Sequence, residues 1–431
     1  MQFYIATVFL LHGLSPVAGL AFGFFLAATW LCVKLFDQGP WLARMRFRRD
    51  DSLFGIIYIL GLLPLLLNPS AIGGQNLIYM LLWPVIWFVC YWWIREWSLL
   101  SALRFADVSN AAALGCLLLS FALILEFILA NSSGTYLSDI IPFSIKDFPQ
   151  ATVLDDGFNR PRGFSAEAGF TAIAFECLLP LSIYTLRASR LRMAVFALVV
   201  GPAYLMLFSA ASFCFLTLTS IVFIYITQGP KRAFWTTLVI ALPVTFVAIT
   251  SEGVSFVFYE VIARKFLEFS IPDGGFTADT FSRPEAYTLG LDIITLRPFG
   301  IGWGTISEMA ANGAVLFGTE LKGSGLISLP LELGAAGGVP AMLLYVWIVW
   351  RKLRRLALTA TLPARLVFFS LLWVSLHHIV VLEFWFPMLW LSMALADAFS
   401  REAPPREALS PSPSRKRKSI AALPSQAASA Q

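Results

Sequence analysis

The sequence predicts an all-α, polytopic integral membrane protein, and three observations carry that expectation. The chain of 431 residues is 58% hydrophobic and only 13% charged, which departs from soluble globular composition. Its apolar runs match a hydrocarbon core about 30 Å thick, which takes roughly 20 helical residues to cross. Its basic residues fall in short clusters between those runs. A net charge of +5 arranged this way reports orientation, because Lys and Arg beside membrane segments stay on the cytoplasmic side. Basic and aromatic residues are not interleaved as in a nucleic-acid-binding surface, so no nucleic-acid partner is expected. Cys32, Cys90, Cys116, Cys177 and Cys214 all lie inside apolar runs without a CxxC pair, as small lipid-buried residues do.

Laying the clusters on one side orders the elements. Residues 16–36 span, and Arg44, Arg46, Arg48 and Arg49 form a cytoplasmic loop. Residues 53–67 return to a turn at Asn68-Pro69-Ser70, and 77–94 come back to Arg95 and Arg104. Residues 109–130 go out to a polar loop, 131–166, and 168–186 run in to Arg187, Arg190 and Arg192. A pair at 193–208 and 211–228 ends at Lys231 and Arg232, and 233–250 lead out to a long loop, 251–322. Residues 325–350 return to Arg351, Lys352, Arg354 and Arg355, and 364–381 with 384–399 close the domain. Every basic cluster then shares one face. Residues 1–13 are either a short crossing paired with 16–36 or an outer-face segment, so the expectation is about 11–12 transmembrane helices. The first apolar run has no basic leader and continues into membrane segments, unlike a cleavable signal. Residues 1–399 form the membrane domain. Residues 400–431, with "SRKRKS", read as a disordered cytoplasmic tail near anionic lipid.

The long outer loop carries helical patterns. In "SFVFYEVIARKFLEF", Glu260, Arg264 and Glu268 recur at four-residue spacing among apolar residues, the pattern of an amphipathic helix at the bilayer surface. Ser282-Arg283-Pro284-Glu285 fits a capping box with Pro in the first turn, which predicts a helix from 283 to 296. It ends at Arg297-Pro298, before "FGIGWG".

Five arginines, Arg160, Arg162, Arg264, Arg283 and Arg297, fall on the outer side, where membrane proteins usually deplete them. The planar guanidinium keeps its charge and matches phosphate oxygens, so a convergent set would suit a pyrophosphate at a lipid headgroup. The competing reading pairs each with a nearby carboxylate: Arg162 with Glu167, Arg283 with Glu285. Gly300, Gly302 and Gly304 do not have the GxGxxG spacing. They read first as a tightly packed turn with Trp303 at the interface, and otherwise as a backbone nest for an anion. Glu332 lies inside an apolar segment, where a carboxylate suggests function: orienting an arginine, or acting as base for a sugar hydroxyl. His377 and His378 near the end of the penultimate span, with Glu383 beyond, are either a polar headgroup belt or a source of a general base. Neither metal-ligand spacing nor a DxD-like pair is present, so no metal and no cofactor is expected.

Three blocks, "RGFSAEAGFTAIAF", "SRPEAYTLGLDIITLRPFGIGWGT" and "SGLISLPLELGAAGG", in that order resemble the signature blocks of O-antigen polymerases and O-antigen ligases, the Wzy/WaaL superfamily. The similarity covers about 109–350. It implies metal-independent, inverting glycosyl transfer at the periplasmic face of the bacterial inner membrane, from a glycan on undecaprenyl diphosphate. Carried over by position, Arg162 and Arg283 match the family's loop arginines. Pro298, Gly300 and Gly302 match the turn, and Glu332 and Gly334 match the block returning to the membrane. The resemblance also implies a chain-length regulator and a flippase of the same pathway as partners. Two positions depart: Gly323 and Ser324 stand where ligases carry His-Asn, and Ser209-Ala210 where many members have Ser-Arg. The missing histidine favours a repeat-unit polymerase over a ligase acting on lipid A core or protein, and leaves the acceptor base unassigned. The reading from a different class is a transporter or flippase of a lipid-linked sugar, which would show repeated halves.

Overall fold

The protein is described by a computed structural model at residues 1–7, 22–37, 46–100, 103–140, 159, 161–163, 168–207, 209–237, 283–312, 315–316, 319–320, 328–381 and 387–400. The chain divides by its contacts into Met1–Ser400 and Arg401–Gln431. The surface helix expected around Arg264, most of the two outer loops, and the tail lie outside the described residues.

The architecture is all-α. The helices are α1 (Gln2–Thr7), α2 (Phe22–Asp37), α3 (Arg49–Leu67), α4 (Gly74–Ile86), α5 (Ile94–Leu100), α6 (Phe105–Ser133), α7 (Leu137–Ile140), α8 (Ala168–Leu186), α9 (Arg190–Leu205) and α10 (Ala210–Gln228). The series continues with α11 (Arg283–Leu296), α12 (Thr305–Ala311), α13 (Leu329–Leu358), α14 (Leu362–His377) and α15 (Pro387–Phe399). Among the described residues, the strand pairing is a two-residue ladder, Val315–Leu316 against Thr319–Glu320. Among the described residues, six helical stretches are long and apolar enough to cross a membrane: Arg49–Leu67, Gly74–Leu100, Phe105–Ser133, Ala168–Leu186, Ala211–Gln228 and Leu329–Leu358.

Local chemistry explains where these helices start and stop. Asp50 and Asp51 occupy the first turn of α3, where negative charge meets the positive end of the helix dipole. The Arg48 amide donates to Asp51 Oδ2 at 2.5 Å. Helix α3 ends at Asn68, and the expected turn is a short 3₁₀ segment, Pro69–Ala71. Helix α6 closes on Gly134 at φ 69°, the left-handed stop glycine supplies without Cβ strain. The sequence placed the next helix at about 193–208, yet α9 begins at Arg190 because the Ser189 hydroxyl accepts the Arg192 amide at 3.4 Å. Helix α11 runs over the span that the capping pattern predicts. Between α4 and α5, the aromatic run Trp87–Trp93 winds as a π-helix.

Helix α13 lies along α3, α6 along α8, and α8 along α14. Between apolar helices in lipid the association comes from close packing, so small residues at crossings matter. Gly61 and Gly337 show this: a Cβ on Gly61 would lie 2.3 Å from Trp303 Nε1, and one on Gly337 3.1 Å from the Gly61 amide nitrogen. Trp303 is held in that crossing by stacking on Trp83 at 4.8 Å and donating to the Tyr58 carbonyl at 2.9 Å.

At the end of the bundle where α3 begins and α13 finishes, the basic clusters that the sequence reads as orientation markers also take part in ion pairs. Lys352 is buried and donates to Asp50, Asp397 and the Tyr91 hydroxyl at 3.0, 2.7 and 3.0 Å. Arg95 is buried as well and grips both oxygens of Asp51 at 2.6 and 2.9 Å. Acidic residues inside neighbouring helices turn these orientation markers into ion pairs. Helix α13 therefore continues past 350 to Leu358.

Candidate functional site

The helices that carry the three blocks meet at the opposite end, around the last turn of α14. Three consecutive residues there each bind a different element. The His377 imidazole Nδ1 lies 2.6 Å from Glu176 Oε1 of α8. The His378 carbonyl accepts the amide of Leu329, the first residue of α13, at 3.1 Å. The Ile379 carbonyl accepts the Tyr287 hydroxyl of α11. Helix α11 begins with Arg283, α13 carries Glu332 in its first turn, and α8 follows the Arg162 segment.

Arg162 is positioned by a carboxylate that the sequence reading passed over. Glu126, buried on α6, accepts the Arg162 amide at 2.8 Å and the Gly163 amide on the same oxygen, and the Leu137 amide at 3.3 Å on the other. The Arg162 carbonyl receives the Thr171 hydroxyl of α8 at 2.5 Å. Gly163 sits at φ 66°, which lets the chain turn sharply into that hydroxyl. The Arg162 guanidinium lies over the Tyr136 ring, 5.1 Å from its centre, and the residue is 6% exposed. The segment is thus clamped between α6 and α8, with a fixed cation laid on an aromatic face.

The glycine turn after α11 docks into a break in α13. Gly338 has φ 76° and interrupts the helix. The freed backbone groups bind the turn: Ile301 donates to the Ala335 carbonyl at 2.7 Å, Gly302 to Ala336 at 3.0 Å, and Val339 to Pro298 at 2.9 Å. Gly300 donates to Arg297 at 2.8 Å and Trp303 to Gly61 at 3.1 Å. The amides of 300–303 are occupied by the chain, so the anion-nest reading of Gly300 and Gly302 gives way to the packed turn. A Cβ on Gly300 would sit 2.4 Å from the Ala336 oxygen, which explains the residue type.

The other expected site residues divide by location. Arg160, Glu167 and Arg264 lie outside the described residues, and Arg283 is described only as backbone, at the first position of α11. Arg297 is exposed, one residue past the end of α11. Glu332 is 3% exposed in the first turn of α13. Helix α11 packs on that turn so closely that a Cβ on Gly334 would meet Ile294 Cδ1 at 2.5 Å. The expected catalytic imidazole, His378, gives its Nδ1 proton to the Val374 carbonyl of its own helix at 2.8 Å. The imidazole set against a carboxylate is His377, one residue earlier.

No known protein family matches the chain, and no curated protein is similar to it. The site is therefore read from its own residues. Glu176 shares its Oε1 between His377 and the Ser212 hydroxyl of α10, 2.6 Å away. Tyr204 of α9 completes the group at 2.6 Å from Ser212. Two unread carboxylates, Glu126 and Glu176, thus organise the site. The sequence signal for each was an acidic residue within an apolar run, the same signal that singled out Glu332.

Proposed function

We propose that the chain is an inner-membrane polysaccharide polymerase. It transfers a growing glycan from undecaprenyl diphosphate to the non-reducing end of a lipid-linked repeat unit, on the periplasmic face and with the C-terminus cytoplasmic. The observation that carries the reading is the last turn of α14, where residues 377–379 bind the elements of all three blocks. Blocks separated widely in sequence and tied to one turn behave as one site rather than as scattered loops.

The chemistry asks for charge at the leaving group. The acceptor hydroxyl oxygen bonds to the donor's anomeric carbon as the bond from that carbon to the diphosphate oxygen breaks, and the electron pair leaves with the lipid diphosphate. Arg162 and Arg283 neutralise that charge, which a partly dry site rewards strongly. Arg162 suits the task because its backbone is fixed before substrate arrives, so little reorganisation is needed. Arg297 and the residues outside the described set, Arg160, Glu167 and Arg264, would line the donor's path. The absence of a histidine at Gly323 favours chain extension over transfer to lipid A core.

The test is incubation of purified protein with a lipid-diphosphate-linked repeat unit, followed by sizing of the products. A ladder of lengthening glycan is expected from the wild type and none from Arg162→Ala or Arg283→Ala. Full-length polymer from both variants at normal expression sinks the mechanism. Glycan joined to lipid A core identifies a ligase, and translocation without growth identifies a flippase.

A further inference from the structure

We propose that His377, oriented by Glu176, accepts the proton from the acceptor hydroxyl. The proposal rests on the polymerase reading and supplies the group that the reading lacks, the activator of the acceptor.

The geometry of the pair assigns the atoms. Glu176 Oε1 takes hydrogen bonds from two sides, the His377 ring and the Ser212 hydroxyl, both at 2.6 Å. Ser212 has a single proton and gives it to Glu176, so Tyr204 must donate to Ser212. With Glu176 receiving at Oε1, the His377 proton sits on Nδ1 and the lone pair on Nε2, the opposite edge of the ring. A carboxylate fixing the tautomer in this way leaves Nε2 as the basic atom.

The ring faces an incompletely satisfied carboxylate. Glu176 is fully buried, and among the described residues its second oxygen, Oε2, has no hydrogen-bond partner. A buried carboxylate so incompletely satisfied is costly beside a neutral ring, and that cost falls when the ring becomes a cation. The carboxylate therefore lies against the ring that would carry positive charge once it has taken the acceptor's proton.

Placement ties the pair to the donor site. Glu176 and Thr171 stand on the same helix, five residues apart, so about 7.5 Å separates their levels along the axis. Thr171 holds Arg162, and His377 adjoins the two carbonyls that hold α13 and α11. In the proposed complex the acceptor sugar would present its hydroxyl to Nε2 while the diphosphate lies with the arginines. In the step, the acceptor O–H bond breaks and its proton moves to Nε2. The oxygen bonds to the anomeric carbon, and the diphosphate leaves with the electron pair of the broken C–O bond. The imidazolium then returns its proton to water.

The experiment uses the full chain in lipid nanodiscs with a lipid-diphosphate-linked repeat unit, measuring kcat, KM for the donor, and rescue by free imidazole. His377→Ala is expected to lower kcat by about 100-fold or more, the usual scale of general-base loss. KM for the donor should stay within about threefold, because binding is not removed with the base. Added imidazole should recover at least about tenfold by occupying the vacated space. Glu176→Gln, a positioning change, should lower kcat without rescue by imidazole and with donor KM unchanged. If His377→Ala elutes as misfolded protein, His377→Gln carries the same kcat and KM comparison. A His377 variant that keeps kcat within about threefold overturns the proposal. So does a variant that loses kcat and donor KM together with no imidazole rescue, since that marks a merely structural role. An active wild type, an inert Arg162→Ala and an active His377→Ala sink the base alone. A folded wild type that extends no glycan sinks the polymerase reading and the base with it.

Discussion

Glu126 shows how one side chain can fix the backbone of a cationic residue. Its two oxygens accept three backbone amides, Arg162, Gly163 and Leu137, from two segments far apart in the chain. Buried amides left without acceptors cost about 1–3 kcal/mol each, so Glu126→Ala should destabilise the segment by several times what a surface change does. The expected result is a lower melting temperature in detergent together with chain extension reduced as far as in Arg162→Ala. Glu126→Gln retains one acceptor oxygen and should fall between wild type and Glu126→Ala in both measurements. Arg162 itself is not replaceable by Lys. A guanidinium lies flat on Tyr136 and can bind a diphosphate through two parallel donors, whereas an ammonium is a point charge on a flexible stem. Arg162→Lys should therefore keep expression and melting temperature but lose most polymer, judged by product sizing.

At the scale of elements, the glycine turn and the broken helix α13 form one device, since the break exposes the carbonyls that the turn needs. Gly338 and Gly300 approach opposing backbone too closely for any side chain: a Cβ on Gly338 would lie 2.2 Å from the Pro298 oxygen. Backbone there cannot give way as a side-chain tip would. Gly338→Ala combines that clash with a positive φ, and each contributes about 1–3 kcal/mol. A melting temperature lowered by several degrees is expected. Gly55→Ala is the matched control, because nothing lies within 4 Å of its Cβ position. In a helix interior it should stabilise by about 0.5–1 kcal/mol. The same region marks the reach of the sequence. Helix α11 and the packed turn were legible because capping residues and glycines act locally, through the residues beside them. The break at Gly338 was not, because "GAAGGVP" gains its meaning only from the turn that docks there. The candidate site was legible as three blocks with Arg162 and Glu332. Its organisers, Glu126 and Glu176, stayed hidden inside apolar runs because their partners are backbone amides and an imidazole far along the chain.

At the scale of the whole molecule, the two ends of the bundle are stabilised by different means. The site end is held largely by backbone amides and carbonyls with isolated carboxylates. The other end is held by a connected set of ion pairs. Arg48 and Arg95 pair with Glu96, Arg95 with Asp51, and Arg351 and Lys352 with Asp50, while Lys352 also pairs with Asp397. Four cations thus balance four carboxylates across α3, α5, α13 and α15 and the residue before α3. In the sequence these cations stand out as clusters, but charge counting along a chain does not show which carboxylate lies alongside. Removing one member of such a set leaves an uncompensated buried charge, which costs about 3–5 kcal/mol. Lys352→Met strands Asp397 and leaves Asp50 with Arg351 alone, and it should lower the melting temperature more than any exposed substitution, for example Arg104→Ala. Lys352→Met combined with Asp397→Leu removes a cation and a carboxylate together, leaving Asp50 with Arg351. The double variant should therefore melt above the single one, and the sum of the separate effects should exceed the combined effect by about 1–3 kcal/mol. Strict additivity in that thermal cycle would mean the two residues are not coupled, and that this end of the bundle is held by packing alone.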